Sequence, residues 1–490
     1  MNTAIHFQIS IVAAGLVLLI GTGCHRSVPP GALVLTQSPA AASATPASDI
    51  LDSLYPSGSR VVLLEAPFDP KRAQVLSEGL AAAGDPIVSY DCRRVFFAGK
   101  AGAACEWQIY QEDLAGGGPQ MLTSMPGGAM NPALLPNGNL VFASPVPKIG
   151  PANCPQPPSS LYVQSPGGHL SQLTFGSRSM ADLTMLSDGR ILFVSTRPPE
   201  SSNSASGPAL FTINNDGTEI SAFAGQQDPG LRIGRPRVLA DGRVIYLVSK
   251  RDSHLPAGAV ESVRIARPFL SRAPLFANVT ARIRSVQPAG NGDLLVCAEN
   301  VLSAQASSPL LALFRVSSTA TSLGAALFTD PAWNSCEAVE LSAHSRPMGR
   351  ISSTDLTKQT GHILCLDANY TRDVSDQGAA TPASTRVRVL AETSPGNVRA
   401  LGEVPVQADG SFMAEVPASL PLGFEALDEN GRVLRREAPM PWVRPGENRV
   451  CIGCHEPRNR SPHNRRPLAV SVPVPRLSLT DAKLVQRKTD

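Results

Sequence analysis

The sequence predicts an all-β protein: a six-bladed β-propeller, with seven blades as the alternative, followed by a small β-sandwich-like domain. Three observations lead to this fold class. The 490 residues include 40 glycines and 44 prolines, a turn-rich composition that favours many short strands over long helices. Pairs of apolar runs around tight turns repeat along the middle of the chain. Near the C-terminus, short alternating strands replace this repeat.

The first element is an apolar run over Ile9–Ile20, followed by small residues that precede Cys24. The run is too short for a comfortable membrane span and is typical of the core of a secretory signal. Small residues before a cysteine resemble the lipobox of bacterial lipoproteins, so we expect a signal peptide over residues 1–23 and acylation of Cys24. An ordinary cleaved signal with an incidental cysteine is the alternative. Residues 24–55 are rich in Ala, Ser, Pro and Thr, which predicts a flexible, lipid-anchored tether.

Export changes what the cysteines can do. We expect the chain in the periplasm or cell envelope as a membrane-anchored lipoprotein, where thiols pair, bind a cofactor or become lipidated. Cys92 and Cys105 flank a predicted hairpin and are the first pair that we expect to form a disulfide. Buried unpaired thiols are the alternative for the remaining cysteines outside the motif described below, which are Cys154, Cys297, Cys336 and Cys365.

The central region carries two hairpins in each repeat. In one series, apolar runs flank Asn-Gly or Asp-Gly turns, whose residues tolerate the positive φ that a tight hairpin needs. The turn glycines of this series are separated by 51, 53 and 50 residues: Gly138, Gly189, Gly242 and Gly292. A second series of turns steps by 50 residues, at Gly117, Gly167 and Gly217. Two hairpins give four antiparallel strands, which is the content of one propeller blade.

The repeat predicts a propeller over residues 56–375 and a small β domain over residues 376–490. The last repeat unit is predicted to run from Cys336 to Leu366. The strand Val61–Leu64 is predicted to close the ring. A propeller is a scaffold, so its presence alone does not disclose a function.

The small β domain carries the most informative motif of the chain, Cys451-Ile452-Gly453-Cys454-His455. Cys-x-x-Cys-His is the attachment signature of c-type haem. Two thiols three positions apart reach the two vinyl groups of one porphyrin, and the adjacent imidazole can then lie beneath the iron. We therefore expect one covalently bound haem c. The alternatives are a zinc site with His455 as a ligand and a disulfide between Cys451 and Cys454.

The order of these elements resembles the hydrazine synthase alpha-subunit family. The resemblance rests on a propeller, a small β domain and the segment Trp442–Gly446, which leads into Cys451–Arg458. It implies a WD-type propeller joined to a domain that holds one c-type haem. In a member of that family, a tyrosine four positions after the motif histidine is thought to ligate the haem iron. Here Asn459 has that position and no tyrosine follows Tyr370, so this departure leaves hydrazine synthesis itself unsupported.

His455 is therefore the expected proximal ligand of the iron. For the sixth position the candidates are Met440, which would raise the haem potential, and His463, which would lower it. The alternatives are a core-filling Met440 and a solvated His463. An open sixth position would instead favour the binding of small molecules.

Arginines concentrate around the motif. The segment Gly431–Arg466 contains nine arginines and three glutamates. We expect the three arginines nearest the motif, Arg444, Arg449 and Arg458, to pair with the haem propionates and to place positive charge near the iron. A solvated basic surface is the alternative for each of them.

Three functions are compatible with these features. The first is an exported monohaem protein that exchanges electrons with a redox partner protein. The second is a haem enzyme acting on a small molecule, nitrogenous if the family resemblance extends to the chemistry. The third is a propeller that binds a protein or glycan, with the haem as an appendage. A net charge of +3 is too small to imply nucleic-acid binding, and one apolar run excludes a polytopic membrane protein.

Overall fold

The computed structural model is built almost entirely of strands. Within the described residues, one short α-helix, α1, spans Ile50–Leu54, and no helix has the length and hydropathy needed to cross a bilayer. The prediction of an all-β chain with a propeller and a small β domain is confirmed. The structure describes residues 28–40, 50–145, 158–176, 178–196, 207–225, 230–250, 257–276, 278–299, 310–342, 344–371, 383–394, 396–437, 441–453, 464–480 and 483–484.

The first unit consists, in the described part of the chain, of six sheets with three or four strands each. Its strands are β1 (Leu33–Pro39), β2 (Arg60–Leu64), β3 (Gln74–Val75), β4 (Ala82–Val88), β5 (Arg94–Lys100), β6 (Gln108–Asp113), β7 (Gln120–Met121), β8 (Met130–Leu134), β9 (Leu140–Pro145), β10 (Ser159–Gln164), β11 (Leu170–Gln172), β12 (Met180–Met185), β13 (Ile191–Thr196), β14 (Pro208–Ile213), β15 (Ser221–Ala224), β16 (Leu231–Val238), β17 (Arg243–Lys250), β18 (Ala259–Arg264), β19 (Ala273–Leu275), β20 (Ile283–Pro288), β21 (Asp293–Glu299), β22 (Leu311–Ser317) and β23 (Trp333–Glu340). The sheets are β4–β7, β8–β11, β12–β15, β16–β19, β20–β22, and one in the order β23-β1-β2-β3.

The predicted hairpins are present in these sheets. Gly138, Gly189 and Gly242 lie between strands that pair antiparallel, β8 with β9, β12 with β13 and β16 with β17. Their φ angles are 85°, 83° and 79°, as tight Asn-Gly and Asp-Gly turns require. Of the second series, Gly117 lies between β6 and β7 and Gly217 between β14 and β15. Local turn chemistry therefore predicted the hairpins correctly.

The N-terminal strand corrects the prediction of a flexible tether over residues 24–55. β1 lies within that range and is buried, with Leu33, Val34 and Leu35 each 0% exposed. It pairs antiparallel with β2 on one side and with β23 on the other, so it joins the two ends of the first unit. The surrounding Ala, Ser and Pro residues concealed this short apolar run. The strand predicted at Val61–Leu64 is part of β2 and lies in the same sheet.

The second unit contains two sheets in the part of the chain that is described. Its strands are β24 (Thr360–Asp367), β25 (Arg386–Ser394), β26 (Asn397–Pro405), β27 (Phe412–Pro417), β28 (Leu422–Leu427), β29 (Val433–Glu437), β30 (Asn448–Gly453) and β31 (Lys483–Leu484). The sheet orders are β27-β24-β30 and β29-β28-β25-β26-β31. Between them lies a core cluster that includes Ile363, Val387 and Phe424.

The two units meet earlier in the chain than the predicted boundary at residue 375. Cys336 belongs to β23 of the first unit, whereas Leu366 belongs to β24, which pairs with β27 and β30 of the second unit. The predicted repeat unit Cys336–Leu366 is therefore divided between the two. Periodicity could not show this, because the strands that pair with β24 come much later in the chain.

Five strands of the first unit carry a bulge at an equivalent position. In β4, β8, β12, β16 and β23 the pairing register shifts next to a residue with φ between 51° and 58°. Positive φ is uncommon for residues other than glycine, so this recurrence indicates a shared packing requirement. The five bulged residues are polar: Asp85, Asn131, Asp182, Arg235 and Glu337.

The bulged residues form one buried polar network. The Arg235 guanidinium lies 3.2 Å from Asp85 and 2.7 Å from Glu337, and all three side chains are at most 6% exposed. A Glu337 carboxylate oxygen accepts the backbone N–H of Asp85 at 3.0 Å. Asp182 accepts the backbone N–H of Arg235 at 3.0 Å. Just after α1, the Tyr55 hydroxyl donates to Glu337 at 2.5 Å and accepts from Arg235 at 2.9 Å. The network therefore connects strands from both ends of the unit.

We predict that Arg235→Ala destabilises the protein by about 3–5 kcal/mol, because it leaves buried carboxylates without their cation. Arg243→Ala is the matched control. Arg243 pairs with Asp241, which is 50% exposed, so its loss should cost less than about 1 kcal/mol. Urea unfolding followed by tryptophan fluorescence measures both free energies of unfolding. Equal losses in the two variants would contradict the structural role of the network.

Candidate cofactor site

β30 carries the first cysteine of the Cys-x-x-Cys-His motif at the edge of a sheet. It pairs in parallel with β24, and its other side has no partner among the described strands. Side chains alternate along a strand, so Arg449, Cys451 and Gly453 share one face, which is the more buried one. The opposite face is open, with Val450 52% and Ile452 39% exposed. The motif therefore begins on a surface strand whose inner face points into the domain.

Residues from β24 and the turn after it pack against the motif. The pairing register places Cys365 opposite Cys451, and both belong to the packing of the core of the second unit. At Gly453, a Cβ atom would lie 2.2 Å from the backbone oxygen of Tyr370. Only glycine allows the strand and this turn to approach so closely. The middle glycine of the motif thus has a packing role as well as a spacing role.

A turn of the first unit holds the segment before β30. This turn, residues 214–220, connects β14 and β15. Trp442 is 1% exposed and donates from Nε1 to the carbonyl oxygen of Gly217 at 2.9 Å. Its ring meets that of Phe175 edge-on, with 5.7 Å between ring centroids. A buried aromatic anchor and a backbone hydrogen bond therefore orient the motif strand against the propeller.

Arg444 and Arg449 both reach this turn. Arg444 donates from Nε to the carbonyl oxygen of Asp216 at 3.2 Å and from Nη1 to Ser419 Oγ at 3.1 Å. Its guanidinium serves the contact between the two units, which differs from the role predicted for it beside the haem propionates. Arg449 donates from Nη2 to the carbonyl oxygen of Ile220 at 2.6 Å.

Arg449 keeps unused donors next to Cys451. Its Nε and Nη1 atoms are buried and have no hydrogen-bond partner, and the same holds for the hydroxyl of Tyr370. A buried donor without an acceptor is costly, so these groups are suited to bind an acceptor that the described chain does not supply. A carboxylate such as a haem propionate suits the guanidinium, and Cys451 offers a thiol for covalent attachment. The described residues thus fit a c-type haem.

Several residues predicted for the site lie outside the described residues, as does the predicted signal segment 1–23. These residues are Cys24, Met440, Cys454, His455, Arg458 and His463. Among the residues that the structure does describe, no group of three or more His, Cys, Asp or Glu side chains is arranged to hold a metal ion. The roles of the six residues therefore stay predictions.

The predicted disulfide between Cys92 and Cys105 is wrong. Both residues are free cysteines in the structure. Cys92 lies in the turn before β5 and Cys105 in the connection after it, so a strand of seven residues separates them. At roughly 3.3 Å per residue, that strand spans about 20 Å, far more than a disulfide can bridge.

Two neighbours of the motif and the buried polar network were not identified from the sequence. For the network, the available signal was a repeat of polar residues within otherwise apolar strands. These residues are separated by 46, 51 and 53 positions: Asp85, Asn131, Asp182 and Arg235. Nothing local marks Cys365 or Tyr370, because they approach the motif only through the long-range pairing of β24 with β30.

The match to a known protein family falls within the second unit. Residues 359–456 match the sequence profile of the hydrazine synthase alpha subunit middle domain. The matched segment begins just before β24 and ends just after the motif. The chain is also 21% identical, over 549 aligned positions, to hydrazine synthase subunit alpha of Kuenenia stuttgartiensis. The chain is therefore similar to hydrazine synthase alpha subunits.

The chain spans only part of that relative. The alignment includes 87% of this chain and 66% of the relative, which is just under two thirds. The solved structure of Kuenenia stuttgartiensis hydrazine synthase matches with a TM-score of 0.76 at 17% identity, over 90% of this chain and 72% of that one. This match shows a shared fold. TolB from Acinetobacter baumannii matches with a TM-score of 0.40 at 14% identity, over 59% of this chain and 61% of that one.

We predict that Gly453→Ala destabilises the second unit by about 1–3 kcal/mol, because the new methyl group overlaps the Tyr370 backbone. Gly349→Ala is the matched control, since nothing lies within 4 Å of a Cβ atom there. It should change the free energy of unfolding by less than about 0.5 kcal/mol. Thermal unfolding followed by circular dichroism compares the two. If both variants unfold like the unmodified protein, the close packing at Gly453 does not contribute to the free energy of unfolding.

Proposed function

We propose that this chain is an exported, lipid-anchored protein with one covalently attached haem c, and that it exchanges electrons with a redox partner protein at the cell envelope. When bound, haem c supplies one-electron redox chemistry. Cys451 and Cys454 would hold its vinyl groups, and His455 would ligate the iron. Arg449 would pair with a propionate.

The unused buried donors of Arg449 carry this proposal. They lie on the same strand face as Cys451, two residues away, which corresponds to about 7 Å along a strand. Charge-assisted hydrogen bonds from a guanidinium to a carboxylate are among the stronger ones in proteins. A buried positive charge beside the haem would also favour the reduced state of the iron, because reduction adds a negative charge.

The outer face of β30 supports electron exchange with a partner. Val450 and Ile452 flank Cys451 and are both exposed, on a strand at the edge of its sheet. Partners in electron transfer meet through small interfaces and separate again quickly. A small apolar surface beside the haem attachment site suits such a short-lived contact.

The N-terminal sequence supports the proposed location at the membrane. A lipid on Cys24 would be joined to the first strand of the propeller at Leu33 by a short connection. At no more than about 3.6 Å per residue, that connection reaches about 30 Å when fully extended. The propeller would therefore stay close to the membrane surface, within reach of other envelope proteins.

A haem enzyme is the second candidate, and the family comparison favours it. The relative named hydrazine synthase subunit alpha implies chemistry on a nitrogenous molecule, which would need an open position on the iron. That relative is longer than the aligned region, so its activity does not transfer with the match. Asn459, at the position where the family member has its tyrosine, weakens this candidate.

Carbon monoxide distinguishes the two candidates. We predict that the reduced protein, matured in a host with haem-attachment machinery, has a six-coordinate low-spin visible spectrum. Carbon monoxide should leave this spectrum unchanged, because an electron carrier keeps both axial positions occupied. A spectrum that shifts readily on addition of carbon monoxide would overturn the electron-carrier proposal and favour the enzyme.

We predict that the double variant Cys451→Ser, Cys454→Ser loses all covalently attached haem, because both thiols of the attachment motif are removed and a buried thiol on β24, Cys365, has no histidine next to it in the sequence. Cys105→Ser, which changes an exposed cysteine between β5 and β6 of the first unit, should keep it. Haem staining of the denatured protein and its intact mass measure attachment. Covalent haem in the double variant would show that the motif is not the attachment site.

Arg449→Met should lower the midpoint potential of the haem, because it removes a buried positive charge. We expect a decrease on the order of 60 mV, which is a tenfold change for a one-electron couple. Arg432→Met is the control, since Arg432 belongs to the same arginine-rich segment but is exposed. Spectroelectrochemical titration measures both potentials. Identical potentials in the two variants would exclude Arg449 as a haem partner.

A further inference from the structure

Two cysteines outside the candidate cofactor site lie side by side in the first unit. Cys297 is on β21 and is 0% exposed, and Cys336 is on β23 and is partly exposed. The two strands belong to different sheets. β23 is the strand that pairs with β1 and so joins the C-terminal end of the unit to its N-terminal end.

Hydrogen bonds hold the two thiols next to each other. The sulfur of Cys297 lies 3.0 Å from the carbonyl oxygen of Ser335, the residue before Cys336. The sulfur of Cys336 lies 3.4 Å from Ser285 Oγ, and Ser285 is the residue opposite Cys297 in the pairing of β20 with β21. Each sulfur therefore contacts a residue next to or opposite the other cysteine, which places the two thiols together where β21 packs against β23. When Cys336 is ionised, its thiolate can accept a hydrogen bond from Cys297, which lowers the pKa of Cys336.

We propose that Cys297 and Cys336 form an intramolecular disulfide that locks β23 to the neighbouring sheet and so secures the closure of the ring. The oxidant is a disulfide, either a small molecule or a protein of the cell envelope. Its S–S bond breaks and a new one forms between the two cysteines. The oxidant takes up both electrons and both thiol protons and leaves as two thiols. An oxidising envelope, which the N-terminal sequence predicts, supplies such oxidants.

The surroundings of the two thiols define the order of the steps. The hydrogen bond from Cys297 lowers the pKa of Cys336, whereas burial raises the pKa of Cys297. Cys336 is also the more accessible of the two. It therefore reacts first with the oxidant, as its thiolate, and Cys297 then displaces the mixed disulfide.

The position of this disulfide suits a structural lock. β23 contributes Glu337 to the buried network around Arg235, and Glu337 follows Cys336 directly. The bond would close a loop that contains β22, which restricts the unfolded chain. It would also keep β23 attached to β21, and this attachment opposes opening of the ring. Oxidation is therefore expected to raise the stability of the whole first unit.

Peptide mapping tests the proposal on the full-length protein. The haem-loaded protein, purified from the envelope of its expression host, is incubated with oxidised glutathione, denatured, alkylated and digested without reduction. The expected product is a cross-linked peptide pair that joins Cys297 to Cys336, two hydrogen masses below the sum of its parts. The thermal unfolding midpoint should rise on oxidation and fall again with dithiothreitol.

Two variants provide the controls. Cys297→Ala should abolish both the cross-link and the response of the unfolding midpoint to oxidant. Cys92→Ser, which removes a cysteine in the turn before β5, should preserve both. Complete alkylation of Cys297 and Cys336 in the oxidised unmodified protein would overturn the proposal, whatever the variants do. A cross-link that joins either residue only to another cysteine would overturn it as well.

Discussion

The buried guanidinium of Arg235 is the interaction on which the closed first unit depends. It neutralises carboxylates that come from opposite ends of the first unit, Asp85 on β4 and Glu337 on β23. If the ring opened, these acids would lose their cation, and a buried unpaired charge is strongly unfavourable. The phenol of Tyr55 completes the network from the N-terminal side. The pairing of β1 with β23 and the burial of this polar network therefore both hold the two ends of the first unit together.

A closed ring gives the second unit a rigid surface on which to dock. The turn at residues 214–220 belongs to a hairpin of the propeller, and it receives Trp442, Arg444 and Arg449 from the segment that leads into the motif. The position of the cysteine strand is thus determined by the propeller as much as by its own domain. The propeller therefore helps to position the candidate cofactor site.

The features that the sequence predicted are those encoded locally. Asn-Gly and Asp-Gly turns identify hairpins because their chemistry acts within four residues, and the Cys-x-x-Cys-His motif is equally local. The features that were missed depend on contacts between distant segments. The strand at Leu33 is stabilised only by its partners, Cys365 meets Cys451 only through a parallel pairing, and the spacing of Cys92 and Cys105 hid the strand between them. Turn patterns predict which strands form hairpins, but not which strand ends the ring.

The central functional claim is that the motif on β30 binds one haem through thioether bonds. The pyridine haemochrome spectrum of the secreted, unmodified protein tests it most directly, because the position of its α-band reports whether the haem vinyl groups have been saturated. The claim predicts the spectrum of a c-type haem at one haem per chain, retained after extraction with acidified acetone. A colourless protein, or haem that the acetone removes completely, would contradict it.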